Sequence, residues 1–119
     1  MNFNENQALQ ALESMDQESM DQLDFGVVRM DKNNKIKAYN RYELDLSGNQ
    51  LKDVIEKDFF KQIAPCTNNF MVAEKYQLDQ VLDEKLDYVF TYRMKPTKVV
   101  LRLLHNPNEA NQYLLVKKT

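Results

Sequence analysis

Apolar and polar residues alternate along the last third of the chain. Every second position from residue 86 to residue 94 is apolar or aromatic, and most of the positions between are polar. A period of two predicts a β-strand with one face, here an aromatic one, turned towards the core. Two more strands are predicted at 97–105 and 112–118, joined by a turn at 106–109.

The first third of the chain predicts a helical segment and then a hairpin. Residues 4–22 are polar and helix-prone with a thin apolar stripe, which is typical of a loosely docked N-terminal cap. Residues 25–30 and 35–39 predict two strands. The asparagines at 31–34 suit the turn between them because asparagine tolerates left-handed backbone angles.

The middle of the chain predicts short helices around a loop. Asn40 is a predicted N-cap and Gly48 a predicted helix stop, and residues 51–60 predict further broken turns. Residues 64–68 predict a loop. The segment 69–85 predicts a longer helix, begun by an asparagine cap. Its apolar side would comprise Phe70, Ala73, Tyr76, Leu78 and Val81.

This order of elements predicts a single α+β domain. Two strands, a group of helices and three more strands give a central five-stranded antiparallel sheet with helices on one face. It is the order of the PAS fold, here with an N-terminal helical cap at 1–22 and a core at 23–119. Fold order alone supports only a ligand-binding or dimerising module.

Composition narrows the function classes. The 16 basic and 18 acidic residues give a net charge of −2, so no basic excess favours a nucleic acid or a membrane surface. No apolar run approaches the ~20 residues of a membrane span, and no signal peptide is visible, so we expect a cytoplasmic protein. One cysteine and one histidine are too few for a zinc site, which usually has about four such ligands.

Tyr39, Glu43 and Ser47 are spaced by four residues. On a helix, this spacing places a phenol, a carboxyl group and a hydroxyl along one stripe. Tyrosine and a protonated glutamic acid can each donate a hydrogen bond, which suits a buried anionic oxygen. The alternative from spacing alone is an ordinary solvated helix face.

Cys66 is the only cysteine and lies between Pro65 and Thr67. A helix N-terminus directly after it would raise the reactivity of the thiol. The alternatives are an inert buried cysteine and a cysteine hydrolase. The hydrolase would need His105 as a base, and nothing in the sequence connects His105 with Cys66.

Phe90, Tyr92 and Met94 form the aromatic stripe of the predicted third strand. Such a stripe is most simply part of the core. A flat aromatic ligand could share that core, because rings and thioethers pack well against it.

From about residue 20 onwards the chain resembles the photoactive yellow protein family of PAS-fold blue-light sensors. The strings that carry the resemblance are Phe25-Gly26, Tyr39-Asn40 with Glu43 and Ser47-Gly48, Asp58-Phe59-Phe60-Lys61, Ala64-Pro65-Cys66-Thr67, and the run from Phe90 to Val99.

The resemblance implies a chromophore and a site. Cys66 would carry p-coumaric acid (4-hydroxycinnamic acid) as a thioester, and Tyr39 and Glu43 would hydrogen-bond its phenolate oxygen. Ser47, where the family usually has threonine, would support Tyr39. The pocket would be lined by Phe90, Tyr92 and Met94, the last implicated in thermal return to the dark state.

The resemblance also implies a signalling mechanism. Glu43 would donate its proton to the chromophore phenolate, and the N-terminal cap would loosen in the signalling state. We expect a monomeric, non-enzymatic receptor that passes its signal to an unidentified protein. Asn49 stands where well-known members have an arginine that covers the pocket. The alternative function is an unpigmented PAS module that binds another ligand or a protein.

Overall fold

The computed structural model describes residues 1–92 and 95–119. Its strands are β1 (Gly26–Asp31), β2 (Ile36–Tyr39), β3 (Leu82–Phe90), β4 (Thr97–His105) and β5 (Asn111–Lys118). They form one antiparallel sheet in the order β2-β1-β5-β4-β3. The predicted five-stranded α+β architecture is confirmed.

Within the described residues, four short α-helices accompany the sheet: α1 (Ala8–Glu13), α2 (Gln17–Met20), α3 (Arg41–Ser47) and α4 (Leu51–Val54). A single π-helical turn follows at Phe59–Ile63, and 3-10 helices lie at Pro65–Thr67 and Ala73–Gln77. None of the helices in the described residues combines the length and apolar character that a membrane span requires.

The local signals for the hairpin and for α3 are confirmed. Asp31 Oδ1 accepts hydrogen bonds from the backbone of Asn33 and Lys35, and Asn34 takes a left-handed φ of 67°. The side chain of Asn40 caps α3. Gly48 ends that helix with a φ of 78°, a backbone conformation that glycine adopts without a steric penalty.

The sheet separates two apolar clusters. The main core joins Val28, Tyr39, Phe90 and Leu114, among others, beneath α3, α4 and the short helices. The cap core joins Leu12, Met20, Val27 and Leu115, among others, beneath the N-terminal segment. Adjacent strand residues such as Val27 and Val28 point to opposite faces, so both clusters follow from the pleat.

The N-terminal segment is better buried than its thin apolar stripe suggests. Leu12 and Met20 are completely inaccessible, and Phe3 packs edge-on against Phe25 with ring centroids 5.6 Å apart. Most of the apolar side chains of this segment therefore belong to one apolar cluster with the sheet.

The predicted helix at 69–85 is wrong. Only Ala73–Gln77 is helical, as a 3-10 helix, and β3 begins at Leu82 rather than at residue 86. The reason is tertiary, because β4 offers backbone partners along its whole length, from Leu82↔His105 to Phe90↔Thr97. Of the predicted apolar side, Ala73 and Tyr76 are buried, whereas Phe70, Leu78 and Val81 are exposed.

Candidate functional site

Tyr39 and Glu43 are completely buried where β2 passes into α3. Tyr39 is the last residue of β2 and pairs with Val28 of β1, which fixes its side chain on the face of the main core. Glu43 lies in the first turn of α3. The strand end and the helix start therefore bring the two side chains to one place.

Asn40, between them, fixes the direction of the chain. Its Oδ1 accepts hydrogen bonds from the backbone of Glu43 at 3.2 Å and of Val27 at 2.9 Å. Its Nδ2 donates to the carbonyls of Met20 at 2.8 Å and Phe25 at 2.9 Å. The sequence identified Asn40 as a helix cap, but its bonds to β1 and to the N-terminal segment depend on the folded chain.

Gly26 provides the space for the Glu43 carboxyl group. A Cβ atom at this position of β1 would lie 2.3 Å from Glu43 Oε1, 3.2 Å from its Cδ and 3.3 Å from its Cβ. Gly26 belongs to a string that carries the family resemblance, but nothing local in the sequence indicates its role.

Tyr92 reaches the same carboxyl group from the segment after β3. Its hydroxyl donates to Glu43 Oε2 at 2.5 Å. Its ring lies 4.6 Å from that of the buried Phe90, at an interplanar angle of 53°. The aromatic stripe thus supplies one hydrogen-bond donor as well as core surface.

Two buried polar atoms at this place have no hydrogen-bond partner within the described residues: the hydroxyl of Tyr39 and Oε1 of Glu43. Among all the described residues, only one other buried side-chain atom, Oε1 of Glu13, also lacks a hydrogen-bond partner. Buried polar groups are nearly always hydrogen-bonded, so two neighbouring exceptions make this a candidate place for a polar ligand atom.

Burial also controls the protonation of these groups. It raises the pKa of Glu43 to about 7, against the lowering effect of the hydrogen bond from Tyr92. Burial, and then the charge of Glu43, raise the pKa of Tyr39. Burial raises the pKa of Tyr92 well above its usual value. Both phenols are therefore neutral near neutral pH, and Glu43 keeps its proton to a higher pH than an exposed carboxyl group does.

Ser47 and Asn49 lie on the other side of Tyr39. The Ser47 hydroxyl accepts from Asn49 Nδ2 at 3.2 Å and donates to the carbonyl of Leu44 at 3.5 Å. Both side chains are near enough to lower the pKa of Tyr39. Their geometry falls short of a hydrogen bond to the Tyr39 hydroxyl. The support of Tyr39 by Ser47 therefore stays a prediction.

Cys66 lies in the 3-10 helix Pro65–Thr67 as a free, half-buried cysteine. It packs against the main core, which also contains Tyr39 and Phe90. The expected helix N-terminus directly after it is absent, because the chain makes only a single 3-10 turn there. The argument that a helix dipole activates the thiol therefore fails.

Tyr88 and Asn69 contact the backbone of Cys66, and the sequence analysis assigned neither of them a role at the cysteine. The Tyr88 hydroxyl donates to the Cys66 carbonyl at 2.5 Å, and Asn69 Nδ2 donates to the same carbonyl at 3.2 Å. The inward position of Tyr88 in the alternating strand was a usable signal.

His105 is engaged elsewhere. Its Nδ1 lies 2.9 Å from the carbonyl of Gln80, and its ring packs edge-on against Tyr76. The described residues therefore give no support to the cysteine hydrolase alternative. Met94, the remaining predicted pocket residue, lies outside the described residues.

Comparisons with known proteins agree with this geometry. The chain is 33% identical over 119 residues to the photoactive yellow protein of Rhodothalassium salexigens, covering 98% of this chain and 95% of the relative. It is 32% identical over 111 residues to that of Halochromatium salexigens, covering 91% and 89%. The chain belongs to the photoactive yellow protein family. No family model matches it.

Solved structures confirm the PAS fold of this family member. The photoactive yellow protein domain of the sensor histidine kinase Ppr from Rhodospirillum centenum superimposes with a TM-score of 0.83 at 29% identity, covering 92% of this chain and 98% of that domain. The PAS domain of an HTR-like protein from Haloarcula marismortui gives 0.62 at 14% identity, with coverages of 92% and 93%, and supports the fold alone.

Proposed function

We propose that this member of the photoactive yellow protein family is a blue-light photoreceptor that carries p-coumaric acid as a thioester on Cys66. The observation that carries the proposal is the pair of buried, unpartnered atoms, Tyr39 Oη and Glu43 Oε1. A phenolate oxygen between them would accept a hydrogen bond from each. Without such bonds, a buried phenolate is costly.

The bound chromophore would supply visible absorption and a double bond that light isomerises. The protein supplies the environment. Tyr39 would donate a hydrogen bond and stay neutral, because burial raises its pKa. Phe90 and Tyr92 provide aromatic surface, and Met94 is proposed to join them.

Glu43 is suited to hold and then release a proton. Burial raises its pKa to about 7, and a neighbouring phenolate would raise it further, since like charges oppose each other's ionisation. Glu43 would then remain protonated in the dark and transfer its proton to the phenolate oxygen after illumination. The resulting carboxylate, with Tyr92 as its remaining donor, would be buried at a cost of several kcal/mol.

We expect this cost to be relieved by loosening of the N-terminal cap, proposed as residues 1–22. It is joined to the site through Asn40, which binds both Glu43 and the carbonyl of Met20. It is also joined through Gln17, whose Nε2 donates to the carbonyl of Tyr39 at 2.9 Å. Charging Glu43 would strain both connections, and the loosened cap would expose a surface to a partner.

The first test is spectroscopic. Reaction with the imidazolide of p-coumaric acid transfers the acyl group to the Cys66 sulfur and releases imidazole. We expect a yellow protein with a band that a blue flash bleaches reversibly. The Cys66→Ser variant should stay colourless. A colourless wild type that still reacts with a general thiol reagent would instead indicate the unpigmented PAS module.

A second test addresses the proton donor. In chromophore-loaded Glu43→Gln, no carboxylate can form at this place, so illumination should produce much less hydrogen exchange in residues 1–22 than in the wild type. Equal light-driven exchange in the two proteins would refute the proposed role of Glu43.

The signal is proposed to pass to a separate signalling protein. The relative in Rhodospirillum centenum is a domain of a sensor histidine kinase, which makes a kinase a reasonable class of partner. We further propose that the receptor is a cytoplasmic monomer.

A further inference from the structure

Cys66 is held by hydrogen bonds to its backbone carbonyl as well as by packing against the main core. The Tyr88 hydroxyl donates to the Cys66 carbonyl at 2.5 Å. Asn69 Nδ2 donates to that carbonyl at 3.2 Å and to the Tyr88 hydroxyl at 2.7 Å. The three groups form a closed set of hydrogen bonds, called here the carbonyl clamp.

The donors and acceptors of the clamp match one for one. An amide NH2 has two hydrogens, a tyrosine hydroxyl has one, and a carbonyl oxygen has two lone pairs. Asn69 uses one hydrogen for each partner, Tyr88 uses its only hydrogen, and the Cys66 oxygen accepts two bonds. No other arrangement of these hydrogens forms all three bonds.

The two side chains of the clamp, Asn69 and Tyr88, are each held in place by further contacts. Asn69 Oδ1 accepts hydrogen bonds from the backbone of Met71 at 2.9 Å and of Val72 at 3.2 Å. Tyr88 lies in β3, paired with Val99, and its ring packs edge-on against Phe90. The clamp thus ties the cysteine to the sheet and to the following loop.

The turn around Cys66 is short, and Thr67 Oγ1 donates to the carbonyl of Ala64 at 2.6 Å within it. Pro65–Thr67 is a three-residue 3-10 helix, closed by hydrogen bonds from Thr67 N to Ala64 O at 2.9 Å and from Asn68 N to Pro65 O at 3.1 Å. Short 3-10 turns have poorer hydrogen-bond geometry than α-helices. The peptide plane between Cys66 and Thr67 is held from within the turn by the bond from Thr67 N, and from outside it by the two side chains that donate to the Cys66 carbonyl. Without those two donors the carbonyl, and with it the direction of the Cα–Cβ bond, would be less firmly fixed.

We propose that Tyr88 and Asn69 are positioning residues for the Cys66 thiol, which they orient for acylation through its backbone carbonyl. This inference rests on the proposed function. Loss of the clamp should slow thioester formation in the bound complex, because fewer thiol orientations would be productive. Affinity for the acyl donor should change little, since the clamp does not touch the place where the phenol would lie.

The clamp can be observed without any chromophore. Cys66 is the only cysteine, so feeding cysteine labelled with carbon-13 at its carbonyl labels this one peptide group. The infrared stretching band of the labelled Cys66 carbonyl should move to higher frequency in Tyr88→Phe. Tyr76→Phe is the matched control, because it also removes a hydrogen bond from a tyrosine hydroxyl to a backbone carbonyl, that of Tyr113 at 2.6 Å. An unmoved band in Tyr88→Phe overturns the proposal.

Kinetics then test the positioning role. Rates of acylation at increasing imidazolide concentration separate binding from the acylation step. Tyr88→Phe should lower the limiting rate roughly three- to tenfold, the size expected for one lost hydrogen bond, with the half-saturating concentration unchanged. Tyr76→Phe should leave the limiting rate unchanged. A shifted infrared band with a wild-type acylation rate would also overturn the proposal.

Asn69→Asp covers the case in which Tyr88→Phe does not fold. It keeps the oxygen that accepts from Met71 and Val72, but it replaces the two donors with an acceptor. The Tyr88 hydroxyl would turn to the new carboxylate, and the same band shift and slower acylation should follow. A wild type that forms no pigment refutes the proposed function. If the wild type forms pigment, but no faster than Tyr88→Phe and Asn69→Asp do, only this inference is refuted.

Discussion

A Cβ atom on Gly26 would lie 2.3 Å from Oε1 of Glu43, so the carboxyl group occupies space that only glycine leaves free. Contacts at 3.2 Å to Cδ and 3.3 Å to Cβ of Glu43 show that the conflict extends to the root of the side chain. Rotating the carboxyl group would move Oε1 away but would disturb the hydrogen bond from Tyr92 to Oε2, and Cδ and Cβ would still have to shift slightly. Strand β1 and helix α3 can approach this closely because residue 26 has no side chain.

Gly26→Ala should therefore destabilise the protein by about 1–3 kcal/mol, the usual cost of overpacking a core. Denaturant unfolding of the chromophore-free protein would measure it. If the clash with Glu43 is the cause, Glu43→Ala in the same chain should cancel much of the cost, and the two effects should be strongly non-additive. Additive effects would contradict this explanation.

Glu43 should make stability fall as pH rises. Burial raises its pKa from 4.5 to about 7, so the folded state holds the proton more tightly than the unfolded state does. The stabilisation from that proton is full below pH 4.5 and is lost as pH rises through about 7. Between pH 4.5 and 8, chromophore-free wild type should lose roughly 3 kcal/mol more than Glu43→Gln. Parallel pH profiles of the two proteins would contradict the raised pKa.

Tyr92→Phe should raise the pKa of Glu43 further. The Tyr92 hydroxyl donates to Oε2 of Glu43, which stabilises the carboxylate and lowers its pKa against the effect of burial. Titration of the carboxylic acid band of Glu43 in the infrared would show the shift. Tyr42→Phe, which removes a hydroxyl bonded to the backbone of Lys118, is a suitable control and should leave the band unchanged.

Arg102→Met should loosen the first residues of the chain. Arg102 is only 3% exposed, and its Nη1 donates to the carbonyls of Phe3 at 2.9 Å and Glu5 at 2.8 Å. Its other nitrogens bind Asp83 at 2.8 Å. Losing the two bonds to the chain should speed local hydrogen exchange there by about tenfold, whereas Arg41→Met at an exposed position should not. Unchanged exchange in Arg102→Met would show that apolar packing alone holds this segment.

The sequence alone determined those parts of the protein whose causes are local. The turn at Asn34 and the stop at Gly48 follow from the left-handed backbone angles that these residues tolerate, and the cap at Asn40 follows from a hydrogen bond to the next turn. The strand alternation needs no long-range information either. Together these signals were enough to predict the sheet and the PAS order, and the quoted strings were enough to predict the family.

Tertiary structure decided where those elements meet. The residues around 80 are weakly helical by pattern, but backbone pairing with β4 extends β3 to Leu82 and leaves a short 3-10 helix in place of the predicted one. Pairing energy summed along a strand outweighs a weak local preference.

The site depended most on tertiary contacts. The spacing of Tyr39 and Glu43 allowed either a solvated face or a buried pair. The pair is buried because Gly26 leaves space for the carboxyl group and because Tyr92 donates a hydrogen bond to it. The clamp likewise brings Tyr88 to Cys66, 22 positions away in the chain. The sequence therefore determined which chemical groups are present, and the packing of distant residues determined which of them are buried, neutral and unpartnered.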